Sequence, residues 1–189
     1  MLETTEAIVL NSFAYNETSL ITKLYTEKFG LKGYIIKGVR KRKSSFSSSL
    51  FQPLQLIEAE VYNNSKQSLQ ILKSATLTDD VSALRFDMIK STLAIFITEI
   101  ISNSIREEMA DISIFKFLSC QIKSLNAANR MQLSKFHINF MTMFATYLGF
   151  SLEHYDCNNT LNSLVLFYET HITSGRRIVS HNILHEILH

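Results

Sequence analysis

The 189 residues include 46% hydrophobic and 19% charged side chains, with 19 Lys+Arg against 17 Asp+Glu. So much apolar matter with a net charge of only +2 excludes intrinsic disorder, and the length allows one sizeable domain or two small ones. No stretch approaches the ~20 predominantly apolar residues of a spanning helix, and the two cysteines, Cys120 and Cys157, form neither a disulfide framework nor a metal quartet.

The opening residues, MLETTEAIVL, lack the basic flank of a signal peptide, so a reducing cytoplasm is the expected compartment. Up to about residue 80, β-branched and aromatic runs alternate with turn signals. Ala7–Leu10, Ser19–Tyr25, Gly33–Ile36, Leu54–Tyr62 and Ser68–Leu77 read as strands, with turns at Phe29-Gly30 and Asn63-Asn64. The only proline, Pro53, is expected at a strand start, where a missing amide donor does least harm. Five short strands in this space predict a small closed barrel, of which the OB-fold is the familiar example.

After Asp79-Asp80 the period becomes helical. Leu84 to Ile105 predicts one long amphipathic helix, Ile114 to Leu125 a second, and Leu133 to Leu148 a third that Gly149 caps. Shorter helices are expected around Leu161–Thr170 and from an N-cap at Ser180 to the end. The expected fold class is α+β: an N-terminal five-stranded OB-fold barrel over 1–80, then an all-α helical domain over 81–189.

Charge is concentrated in one place. Lys37, Arg40, Lys41, Arg42 and Lys43 put five cations into seven residues, with Gly38 among them and Ser44-Ser45 following. Closely spaced cations neutralise phosphates and release their counterions, glycine lets a backbone approach closely, and serine hydroxyls donate to phosphate oxygens. Tyr34, Phe46 and Phe51 nearby are expected as aromatic platforms beside this basic track, the pattern of a single-strand groove. A solvated, repulsive loop is the plainer alternative.

The terminal His185-Glu186-Ile187-Leu188-His189 matches H-E-x-x-H, in which two imidazoles hold zinc and the glutamate activates water. His181 lies one turn upstream, and His171 or Glu169 are the nearest further ligands. However, the motif runs to the last residue, where helices fray, and its apolar members read as the buried stripe of an ordinary helix. Cys157 beside His154 and Asp156, and the acidic Glu107-Glu108 with Asp111, make no convincing catalytic arrangement. No phosphate loop or dinucleotide fingerprint occurs. A non-enzymatic protein with no cofactor and no metal is expected.

The runs Ala7–Leu10, Tyr15–Ile21 and Leu24–Gly30 resemble the start of the bacterial recombination mediator RecO. Lys37–Phe46 and Leu50–Pro53 continue the likeness, and Phe167–His171 with Ile178–Leu188 is similar to that family's closing helices. The resemblance implies an OB-fold followed by a helical domain, binding to single- and double-stranded DNA, and annealing of complementary strands. It further implies that, with RecR, the protein helps load RecA onto DNA coated by single-strand-binding protein, whose acidic tail docks on the helical domain. DNA contact then falls on Lys37, Arg40, Lys41, Arg42, Lys43 and Ser44. Many members carry a four-cysteine zinc module where Cys157 here stands alone, so a shortened, zinc-free variant is implied. The alternative class is a non-enzymatic module that docks an acidic peptide; a zinc hydrolase through the terminal histidines is the remote one.

Overall fold

The computed structural model describes residues 1–39, 47–64, 67–106, 110–152 and 161–188. The chain divides into two compact units, one of Met1–Val81 with Ile105–Phe115 and one of Ser82–Ser104 with Lys116–His189.

The first unit is a closed barrel. Its strands are β1 (Leu2–Ala14), β2 (Leu20–Thr26), β3 (Gly30–Ile36), β4 (Leu56–Tyr62) and β5 (Leu69–Leu77), in the order β1-β2-β3-β5-β4 and back to β1. All neighbours are antiparallel except β3 and β5, which run parallel with Gly33, Tyr34 and Ile35 opposite Leu69, Gln70 and Ile71. That is the OB-fold topology, and closure removes every exposed sheet edge. Alternation puts Ala7, Val9, Leu24, Tyr34, Ile57 and Val61 inside.

β1 extends beyond the predicted Ala7–Leu10 in both directions because it serves two partners: its first half pairs with β4 and its second with β2. Between Val9 and Asn11 the register shifts at a bulge, so the inward parity changes. Pro53 does not start a strand. It lies in the turn before Leu54, whose φ of 60° is left-handed and whose amide donates to the Val9 carbonyl at 2.7 Å. Val9 donates in return to the Gln55 carbonyl at 2.9 Å, so β4 begins only at Leu56.

The second unit is helical. Instead of one long helix from Leu84, a short α1 (Ala83–Phe86) precedes α2 (Met88–Ser104). Asp87 breaks the run: its backbone is extended and its carboxylate accepts from the Ile89 and Lys90 amides at 2.9 and 3.0 Å. An aspartate satisfies orphan donors at a helix start better than it serves a helix interior. α3 (Ile112–Ala127) opens on Asp111 in the same way, and α4 (Arg130–Tyr147) opens on a reciprocal Asn129–Gln132 capping box. Gly149, with φ 85°, ends α4 as expected. Phe117 stacks on Tyr147 at 4.4 Å and on Phe140 and Phe144 at 5.9 and 6.0 Å, joining α3 to α4.

α5 (Leu161–Phe167) passes into a π-turn over Tyr168–Ile172, where the Tyr168 hydroxyl donates to the Met141 carbonyl at 2.7 Å. α6 (His181–Leu188) follows. Ser180 directs its hydroxyl to the Glu99 carboxylate, which also accepts from the Val179 and Ser180 amides at 2.9 Å each. The start of α6 is therefore held by α2 through Glu99. Among the described residues no helix is long and apolar enough to cross a membrane.

Candidate nucleic-acid interface

The basic arm leaves the barrel at the end of β3. Ile36 is the last inward residue, Lys37 is exposed, and Gly38 turns the chain with φ 75°, a left-handed conformation natural to glycine. Val39 then re-enters the barrel core. Arg40, Lys41, Arg42, Lys43, Ser44 and Phe46 lie outside the described residues. The chain returns at Ser47, whose hydroxyl accepts from the Ser49 amide at 3.3 Å and opens a single 3₁₀ turn over Ser48–Phe51. Phe51 plugs the same core as Val39. Both roots of the arm are thus pinned by buried apolar side chains twelve residues apart in sequence.

This packing corrects the expectation for two aromatic residues. Tyr34 and Phe51 are 0% and 3% exposed, so neither ring is open to a base. Desolvation pushes the Tyr34 phenol up to about 12, against a smaller opposing pull from Thr26. Inward parity on β3 and the apolar interior claim these side chains.

The exposed aromatic residues of the barrel are others: Phe13 at 53%, Tyr15 at 57% and Tyr62 at 45%. Strand register places Phe13 beside Ile21, Ile21 beside Ile35, Ile35 beside Ile71, and Ile71 beside Tyr62. The outer surface therefore carries a continuous apolar row across five strands. The neighbouring row reads Asn11, Lys23, Gly33, Leu69. Phe13 was not singled out from sequence because simple alternation from Ala7 and Val9 turns it inward, and the bulge after Val9 reverses this. Its one local signal is the polar Asn11-Ser12 pair that interrupts the apolar run.

The barrel surface is also polarised. Lys23 and Lys32 are the charged residues of β2 and β3, and exposed Lys37 directly follows β3. On the β1–β4 side, Glu6 stands directly opposite Glu58, and Thr4 opposite Glu60. Glu60 accepts from the Ser74 hydroxyl at 2.5 Å and pairs with Lys73 at 3.5 Å; the hydroxyl first and the ammonium second hold its carboxyl below the usual range.

On the second unit, a hollow of about 520 Å³ is lined by Thr142, Thr146, Gly149, Phe150, Ser151 and Leu152. The His185 side chain and His189 lie outside the described residues. His181 directs Nδ1 to the Ile178 carbonyl at 2.6 Å, and His171 stacks on Phe167 at 4.9 Å. Among the described residues no group of three or more His, Cys, Asp or Glu could hold a metal ion.

Comparison with known proteins agrees with this architecture. The family model described as Recombination protein O N terminal matches residues 1–81, and the one described as Recombination protein O C terminal matches residues 85–177. The DNA repair protein RecO of Flavobacterium psychrophilum is 35% identical over 157 residues, covering 82% of this chain and 64% of that protein. That of Christiangramia forsetii is 34% identical over 154 residues, covering 81% and 64%. That of Bacteroides fragilis is 32% identical over 166 residues, covering 87% and 68%. The chain thus spans just under two thirds of the first two relatives. With both halves matched in order, and with the barrel topology and the helical body in place, the chain belongs to the RecO family of DNA repair proteins.

Proposed function

We propose that the protein is a DNA-binding recombination mediator that anneals complementary single strands and, with RecR, helps load RecA onto DNA coated by single-strand-binding protein. The observation that carries this reading is the basic arm, rooted by Val39 and Phe51 at the cationic side of a polarised barrel. Lys37, Arg40, Lys41, Arg42 and Lys43 take the phosphates, with Ser44 donating a hydrogen bond. The row led by Phe13, Ile21 and Ile35 offers an apolar bed for bases beside them.

Annealing requires no covalent chemistry. Two DNA strands repel through their phosphates, and a protein that neutralises both lets base pairing proceed. Binding on this account is independent of sequence and strongly dependent on salt.

The test is the salt dependence of binding to a labelled single strand. Replacing Lys37, Arg40, Lys41, Arg42 and Lys43 together with alanine should reduce the slope of log K against log salt by up to about 3.5. An unchanged slope refutes this assignment of the DNA surface. Strand annealing measured on bare DNA and on DNA coated by single-strand-binding protein then separates simple binding from mediation.

A second reading has one observation behind it. The hollow bounded by Thr142, Phe150 and Leu152 is apolar enough for the end of a peptide. This favours docking of an apolar-ended segment, for which the tail of single-strand-binding protein is the candidate. Binding of that peptide to the full chain, abolished by Phe150→Ala, is the expected result.

A further inference from the structure

The β1–β2 hairpin ends in two exposed rings. Phe13 is the penultimate residue of β1, Tyr15 lies one step past its end, and both are more than half exposed. The Tyr15 amide donates to the Ser19 carbonyl at 3.0 Å, so the ladder continues that far. Beneath the rings the Ser12 hydroxyl donates at 2.9 Å to the hydroxyl of Thr22, which is buried. That bond marks Ser12 as inward, and alternation then turns Phe13 and Tyr15 to the same outer face. We propose that Phe13 and Tyr15 together form a two-base stacking platform that makes the barrel select single-stranded over duplex DNA. The proposal rests on the reading of the chain as a DNA binder, but it assigns the choice of strand form to residues outside the basic arm.

Spacing carries the choice. Two residues along an antiparallel strand span about 6.8 Å, twice the roughly 3.4 Å rise between stacked bases in one strand of a duplex. Neighbouring bases of a duplex therefore cannot each lie on one of these rings. Successive bases of an extended, unstacked strand can, because their faces are uncovered. A duplex offers the same phosphates but keeps its base faces stacked, so it gains nothing from the rings.

Charge sets the path of the backbone. Phe13 pairs with Ile21 and Ile21 with Ile35, in one row across three strands. One row nearer the tip, Tyr15 is bonded to Ser19. Because Leu20 pairs with Ile36, the same register sets Ser19 beside Lys37. Lys37 is exposed and begins the basic arm. Strands lie about 4.8 Å apart, which puts the start of the arm roughly 10 Å from Tyr15. A lysine side chain and a sugar-phosphate together bridge that distance. Glu17, exposed in the turn beyond Tyr15, is the only carboxylate between Ala7 and Thr26. It repels phosphates at the turn itself, which leaves the backbone on the Lys37 side and the bases on the rings.

The platform is held in advance. Asn16 Oδ1 accepts from the Thr18 and Ser19 amides at 3.0 and 2.7 Å and closes the turn. Rings on a closed hairpin lose little freedom when a base settles on them. A protein partner suits the tip less well. Protein hot spots cluster in desolvated pockets ringed by further contacts, whereas polar Asn16, Glu17 and Thr18 directly follow these rings.

The chain has no tryptophan, so Tyr15→Trp introduces a single reporter whose emission is quenched when a base stacks on it. Three ligands of equal length are compared: a dT oligonucleotide, an abasic single strand with the same phosphates, and a duplex. At equal occupancy, followed by the anisotropy of labelled DNA, the dT strand should quench the emission and the other two should not. Phe13→Ala combined with Tyr15→Ala should weaken dT binding at least about 25-fold, the roughly fivefold minimum for one lost stack taken twice. Binding of the abasic strand and of the duplex should be unchanged, and so should the salt slope for all three. Equal losses for all three ligands, or no loss for dT, overturn the proposal. So does quenching by the duplex as strong as that by dT.

The variant lacking the five arm cations separates the platform from the function it serves. If that variant loses all three ligands while the rings prove irrelevant to dT, the platform fails and the arm reading stands. If it binds every ligand as the natural protein does while the rings still select dT, the arm reading fails and the platform stands. A natural protein that binds none of the three overturns both. Should the alanine pair not fold, quenching in the Tyr15→Trp protein decides alone.

Discussion

Phe13 and Phe51 have the same side chain and opposite environments, so they separate binding from stability. Phe51 fills the barrel core, and Phe51→Ala should cost about 3–5 kcal/mol in a denaturant titration. Phe13 stands in solvent at the end of the outer row, so Phe13→Ala should leave the midpoint nearly unchanged. It should instead weaken single-strand affinity by roughly 1–3 kcal/mol without altering the salt slope, because stacking is not an ionic term. An unchanged single-strand affinity in Phe13→Ala would show that the outer row has no binding role.

The tyrosines make a further prediction at this scale. Burial raises Tyr25 and Tyr34 to about 12 and Tyr168 well above the ordinary phenol value. Between the unfolded value near 10 and these folded values, the unfolded chain releases protons that the folded chain keeps. Stability is therefore unaffected by these groups below pH 10 and falls as pH rises from 10 through 12. Absorbance titration should show Tyr25, Tyr34 and Tyr168 ionising late, together with loss of the fold. Tyr25→Phe removes the hydrogen bond to the Asp111 carbonyl at 3.2 Å and should cost about 1 kcal/mol at neutral pH while easing the alkaline decline.

Elements show where local chemistry sets boundaries. Asp87, Asp111 and Asn129 each open a helix by accepting from amides that have no helical partner. Asn129→Ala should therefore cost about 1 kcal/mol, with the loss appearing at the start of α4 in amide exchange. Strand pairing makes a prediction of opposite sign. Glu6 and Glu58 face each other across β1 and β4, both exposed, and like charges so placed are destabilising. Glu58→Lys should stabilise the barrel by roughly 0.5 kcal/mol at low salt, and the gain should shrink as salt screens it. A gain that persists at high salt would point to packing instead of charge.

For the molecule as a whole, the barrel unit is more than the first 81 residues. Ile105–Phe115 belongs to it, and its described part covers Tyr25 by a ring contact with Phe115 at 6.2 Å and by the Asp111 carbonyl. A fragment of residues 1–81 should consequently be less stable than the barrel in the full chain, with Tyr25 titrating closer to 10. Fusing Ile105–Phe115 back to that fragment should restore both properties. A fragment as stable as the full chain would show that this strap contributes no stability.

The strand and helix periods, the Gly149 cap and the density of cations from Lys37 to Lys43 were legible in the sequence because each depends on neighbours a few positions away. Five strands of the right spacing implied a barrel, and the break near residue 80 implied a helical body. What tertiary structure alone decided is which side chains face outward. The bulge after Val9 turns Phe13 to solvent, inward parity on β3 buries Tyr34, and the core claims Phe51. The enlistment of Ile105–Phe115 by the barrel unit and of Glu99 by the start of α6 was equally unreadable. In each case the partner is remote along the chain, and no local period records which face a distant segment will cover.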